Sequence, residues 1–229
     1  MTEEPARDDR AQAFPPLPAR IAQVFFSPGA LFDRLKVRPA WIGALVTLVV
    51  ISLLANILVP EELIRQLVME QLPDDAEPAQ VASAMRLAGF FRYVGPVVLT
   101  PVLAAAVSGI VLLVWNLILG GEASFGQAMS VTAHTLFIPT LGGLLTIPLM
   151  IAANDATVAL SLDLLLPGLD EESYAFQFLH GLNFFGLWAC VVLGIGVSRL
   201  YSKTAARSAA LALVSLYVIF KAASAALFG

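Results

Sequence analysis

Two histidines, one cysteine and a few amides are the side chains able to do chemistry within otherwise apolar sequence. His134 stands in residues 123–154, a stretch without Asp, Glu, Lys or Arg. Counted from Ser124 it lies about 15 Å along a helix, near the middle of a bilayer core about 30 Å thick. An ionisable group at that depth is a candidate for proton handling or ligand contact. The other reading is a neutral imidazole hydrogen-bonded to a neighbouring helix near a break at Pro139. His180 and Asn183 share a face near one end of the next uncharged stretch, residues 173–198, and carry the same two readings. His134, Pro139, His180 and Asn183 therefore form the candidate polar site.

Several chemistries lack their groups. Two histidines on separate elements do not complete a zinc site, and no metal or other cofactor is expected. Cys190 sits among apolar residues, where a buried inert thiol is expected. No Asp or Glu falls inside the uncharged stretches, so the carboxylate of an ion-coupled carrier is missing. There is no His-Glu-x-x-His, no Gly-x-Ser-x-Gly and no Walker loop. Neither an enzyme nor a nucleic-acid partner is expected.

The elements that must hold these residues are apolar helices. Of the 229 residues 59% are hydrophobic and only 13% charged, against roughly 25% charged in soluble domains. Mean hydropathy is +0.83. Uncharged apolar runs of ~18 residues or more cross a bilayer as helices, which alone satisfy their own backbone there. The expected architecture is an all-α membrane bundle of about five spans, near residues 41–59, 93–119, 124–152, 173–198 and 208–228. Together they form one membrane domain over residues 21–229, behind a disordered tail over residues 1–20 that is rich in charge, Ala and Pro. Between tail and first span, Ser27 and Pro28 open a short helix. Its Leu31, Phe32 and Leu35 fall on one face, with Asp33, Arg34 and Lys36 opposite. It is expected to lie at the membrane interface, apolar side down; an ordinary packed helix is the alternative. Pro139, with Gly142, Gly143 and Pro148, should bend or break the third span.

Orientation follows from the 13 Lys and Arg. With the N-terminus inside, Arg7, Arg10, Arg20, Arg34, Lys36, Arg38, Arg199, Lys203 and Arg207 are cytoplasmic. Arg65, Arg86, Arg92 and Lys221 are outside, and Lys221 must snorkel to the interface. The positive-inside rule favours that arrangement in the cytoplasmic membrane, with the C-terminus outside. In the fourth span Gly186, Cys190, Gly194 and Ser198 recur every four residues, a face that lets another backbone approach closely. Packing within the bundle and homodimerisation both use such a face.

A family resemblance rests on particular residues. Phe25, Phe26, Ser27 and Pro28, with Phe32 and then Arg38, Pro39, Ala40 and Trp41, resemble the opening of bacterial members of the Yip (Ypt-interacting protein) domain family. Ser124 to Gln127, Ala133 to Thr135 and Pro139 are similar to the family's middle section, and Phe184, Trp188, Gly194 and Gly196 to its fourth span. The resemblance covers about residues 25–225. It implies an integral membrane protein without enzymatic activity; eukaryotic members are membrane partners of Rab-type GTPases in vesicle traffic.

The leading expectation is a non-enzymatic membrane protein that organises protein partners or lipids. It would act through the surface helix around residues 25–36 and the small-residue faces, with the bilayer itself as a partner. The rival is a small channel or carrier for an uncharged substrate. In that reading the broken third helix, from His134 to Pro139, lines a path.

Overall fold

The computed structural model describes residues 14–228 except Asp74. Helices account for nearly all of the regular structure: α1 (Leu17–Phe26), α2 (Pro28–Val37), α3 (Ile42–Leu58), α4 (Glu61–Glu70), α5 (Pro78–Leu112), α6 (Phe125–Thr135), α7 (Phe137–Ala153), α8 (Tyr174–Gly181), α9 (Phe184–Leu200) and α10 (Ala206–Phe228). A π-helical turn, Leu113–Ile118, continues α5, and a 3-10 turn, Leu162–Leu165, precedes α8. The only β pairing among the described residues is an isolated bridge between Ser161 and Asn183. The fold is an all-α membrane bundle.

Three segments, Pro78–Ile118, Phe125–Ala153 and Ala206–Leu227, are long and apolar enough to cross a membrane. Helix α3 reaches that length only together with α4, across an 89° bend at Pro60. Helix α9 has 17 residues, about 25 Å against a core of about 30 Å. The expected count of five spans thus depends on two short helices.

Four elements depart from the sequence expectation, each for a local reason. Residues 1–13 of the expected tail lie outside the described residues, but its end is ordered: α1 starts at Leu17. Pro18 falls in the first turn of α1, where a missing N–H costs nothing, and Val24 is fully buried. Helix α5 begins at Pro78, well before residue 93. A capping box closes its start, Glu77 with Gln80, and Ala79, Ala82, Ala84, Met85 and Leu87 are good helix formers. The fourth expected span divides into α8 and α9. At the division the Asn183 side-chain oxygen Oδ1 accepts from the backbone N–H of Phe185 at 2.8 Å, an N-cap that starts a new helix.

The fourth departure concerns α2. Leu31, Phe32 and Leu35 are fully buried, and they meet protein rather than lipid. The helix packs on α9 and α6: Phe32 lies against Gly196, beside Val131, and Asp33 pairs with Arg199 at 3.6 Å. The packed-helix reading therefore describes this face. Burying each of these side chains is worth about 1.5–3 kcal/mol.

The break expected at Pro139 occurs at Leu136, between α6 and α7. Pro139 is the third residue of α7. It has no N–H for the carbonyl of Thr135, and its ring crowds that carbonyl. The helix N-terminal to the break opens as expected on a capping box, with Ser124 and Gln127 bonded reciprocally at 3.2 and 2.8 Å.

Candidate functional site

The candidate residues separate into three places. The first is a buried polar network where α1 and the α2–α3 link dock on α6. Two residues of α6 one turn apart, Ser130 and His134, are polar here. The Ser130 hydroxyl donates to the Gly126 carbonyl at 2.7 Å and accepts from the backbone N–H of Ala40 at 2.9 Å. One turn on, His134 is fully buried. Its Nδ1 lies 2.7 Å from the Ser130 carbonyl oxygen and its Nε2 3.3 Å from Nη1 of Arg20. A carbonyl cannot donate and a guanidinium cannot accept. One tautomer satisfies both contacts: Nδ1–H donates to Ser130, and Nε2 accepts from Arg20. The imidazole is then neutral and adds no charge beside the guanidinium.

Arg20 is only 8% exposed, and its Nη1 also donates to the Ala40 carbonyl at 2.9 Å. Burial, and then the nearby Arg38 charge, pull its pKa below the ordinary guanidinium value. The guanidiniums of Arg20 and Arg38 both lie over the Phe14 ring, 5.1 and 4.8 Å from its centre. Sequence reasoning assigned Arg20 to the tail. The signal that could have placed it is the apolar spacing of Leu17, Ile21, Val24 and Phe25, an amphipathic helix carrying one arginine.

The second place is an open-sided cavity of about 600 Å³ lined by α5, the α6–α7 break, α9 and α10. Pro139, Asn183, Gly186 and Cys190 line it, as do Gly143, Tyr217 and Lys221. His134 and His180 are not among its walls. A polar path through His134 therefore has no counterpart in this cavity. Two members of the small-residue face meet α10 of the same chain. A Cβ on Gly186 would come 2.6 Å from the Tyr217 hydroxyl, and one on Gly194 would come 2.5 Å from the Ala210 backbone. Ser198 bonds within its own helix, to the Ile195 carbonyl at 2.7 Å. At Gly186 and Gly194 the partner is α10, which leaves no room there for a second copy.

The third place holds His180, in the last turn of α8 at the N-terminal end of α9. Its Nδ1 lies 3.3 Å from Asp163 Oδ2, and its ring stacks on Phe176 at 5.4 Å. Burial raises the Asp163 carboxyl, but hydrogen bonds from Ser161 and His180 outweigh it and hold the pKa below the ordinary value. A carboxyl depressed in the folded state contributes stability above its unfolded pKa, and that stability is lost as pH falls through the folded pKa. Amide protection over residues 160–183, taken relative to the intrinsic exchange rate at each pH, should therefore fall on acidification below about pH 4, and Asp163→Asn should abolish the change. Unaltered protection across that range would remove Asp163 from this role.

Among the described residues no group of three His, Cys, Asp or Glu is placed to hold a metal ion. Compared with known proteins, the chain matches the family model described as the Yip1 domain over residues 22–227. No curated protein and no solved structure matches it.

Proposed function

The chain belongs to the Yip1 domain family, and from that premise we propose a non-enzymatic role: it organises protein partners or lipids at the cytoplasmic membrane of a bacterium. The multi-pass membrane character rests on its long apolar helices. The observation that carries the proposal is the α1–α2 hairpin. Its inner face is locked into the core by Val24, Leu31, Phe32 and Leu35, so its outer face is a fixed surface. Phe26 is 88% and Val37 85% exposed on that surface, beside exposed Arg34 and Arg38. Mixed apolar and basic character suits either an acidic protein segment or anionic headgroups.

The orientation belongs to the same proposal: N-terminus cytoplasmic, C-terminus outside. In its support, Lys36 and Lys203 border one pocket and Asp33 of α2 pairs with Arg199, which gathers the basic groups at one end of the bundle. The rival reading, a path for an uncharged solute, draws on the cavity beside the α6–α7 break.

The test is photo-crosslinking in living host cells, with the reactive side chain at position 26 or 37. The expected result is a discrete adduct that disappears when Arg34 and Arg38 become Glu while the melting temperature stays unchanged. Leu31, Phe32 and Leu35 are unsuitable for this purpose because they belong to the core. Adducts indifferent to the two charge reversals would refute the platform. A cysteine at Glu70, in a Cys190→Ser background, should react with a membrane-impermeant maleimide from outside; reaction only after lysis would invert the orientation.

A further inference from the structure

Lys221 presents a problem that nothing in the described chain solves. It stands well inside α10, two turns before Phe228, where a cation is expected to pair or to reach water. Helical side chains lean toward the N-terminus of their helix, and Lys221 does so. Its stem crosses Gly181, where an added Cβ would come 3.3 Å from Cδ. Its ammonium lies 5.9 Å from the centre of the Tyr217 ring, one turn deeper. The side chain thus points along the groove, not outward past the helix end as the snorkelling expectation had it. The ion pairs among the described residues are His180 with Asp163 and Arg199 with Asp33, so no described carboxylate neutralises Lys221.

The groove below it has matching dimensions. At about 600 Å³ it falls within the range of small-molecule sites, and its walls are mainly apolar. Asn183 and Leu193, both on its wall, stand ten residues apart, about 15 Å. That is half of a hydrocarbon core of about 30 Å, the depth of one leaflet. The α6–α7 break and Gly143 keep the space open. A Cβ on Gly143 would meet nothing within 4 Å.

We infer that this groove seats one acyl chain of an anionic phospholipid from the leaflet at the Lys221 end, with the headgroup phosphate against the ammonium. The cation supplies the charge complementarity and the leaflet-deep apolar channel supplies the length. The inference goes beyond the α1–α2 platform and is independent of it, since that surface lies at the opposite end of the bundle.

The experiment uses the full chain in phosphatidylcholine vesicles containing a phosphatidylglycerol with a diazirine on its acyl chain. A phosphatidylcholine carrying the same diazirine is the control. Phosphatidylglycerol should label residues lining the groove in preference to phosphatidylcholine. Lys221→Gln should reduce that preference about fivefold. Gly143→Leu, which fills open space, should suppress groove labelling by both lipids while melting is unchanged. Lys203→Gln, at the other end, should alter neither. Equal labelling by the two lipids, unaffected by Lys221→Gln, would overturn the proposal and leave only annular lipid. Uncharged-solute flux through the vesicles that Gly143→Leu blocks would also overturn it, in favour of the path. Loss of the platform adducts at positions 26 and 37 would leave these readouts unmoved, so the two proposals fail separately.

Discussion

Replacing His134 by alanine is expected to destabilise the protein by about 3 kcal/mol, the largest effect of any single polar substitution. Two contributions add. The fully buried imidazole leaves a cavity on the wall between α6 and the α1–α2 hairpin. The change also removes one of the two acceptors of Arg20 Nη1, leaving the Ala40 carbonyl, and the side-chain donor to the Ser130 carbonyl. A hydrogen bond to a charged group is worth about 1.5–3 kcal/mol, and a buried group left without a partner bears its full desolvation cost. Arg20→Met alone should cost less, because a neutral imidazole that loses one donor is less unfavourable than an arginine that loses an acceptor. The double variant Arg20→Met with His134→Leu should be more stable than the sum of the single changes predicts, by about 1–2 kcal/mol, since it removes both halves of the Arg20–His134 contact together. Unfolding of the four proteins in the same detergent measures this. Strict additivity, or a His134→Ala protein that melts like the parent, would show that the pair does not hold the hairpin down.

Gly194→Leu is expected to prevent folding of the bundle. The missing side chain there faces backbone: a Cβ would stand 2.5 Å from both the Cα and the nitrogen of Ala210. Backbone cannot rotate aside as a side chain can, so α9 and α10 must separate along their whole contact. Overpacking usually costs about 1–3 kcal/mol, and a rigid helix pair puts this change at or beyond the upper end. The matched control is Gly109→Leu, where nothing lies within 4 Å; it should stay within about 0.5 kcal/mol of the parent. Yield of folded, monodisperse protein in detergent separates them. Normal yield from Gly194→Leu would mean that α10 does not occupy this face, which would reopen it to a second copy of the chain.

What the sequence disclosed follows from the range over which each signal acts. Lipid solvation acts on whole stretches, so the absence of charge from residues 93–119 and 124–152 was enough to mark helices α5, α6 and α7. Local chemistry was equally legible: Ser124 with Gln127 announced a helix start, and Pro139 announced the break at Leu136. The face at Gly186 and Gly194 was visible as a spacing, but its partner was not, because both α10 and a second copy satisfy the same pattern. Helix α2 was misread for a related reason. An apolar stripe of Leu31, Phe32 and Leu35 looks the same whether it meets lipid or Val131 and Gly196, which lie far away in the sequence. Asn183 interrupted an apolar run without any change in hydropathy, since one capping amide can end a helix within it. Of the candidate polar site only Pro139 and Asn183 share a cavity, and they share it with Gly186 and Cys190 of the packing face. His134 was singled out correctly as buried and polar, but its partner Arg20 lay in a segment whose proline content suggested disorder.

The position of the α1–α2 hairpin also bears on how the protein is made. A segment made before the rest of the bundle is among the last to find its place: Arg20 needs His134, and Phe32 needs the face at Gly196. At about 5–20 residues per second, the 164 residues between Phe32 and Gly196 take roughly 8–30 s to synthesise. Throughout that interval Leu31, Phe32 and Leu35 lack the α9 face that completes their cover. The nascent chain must rest that stripe on the membrane surface or on a chaperone, and exchange it for the bundle only after α9 has been inserted.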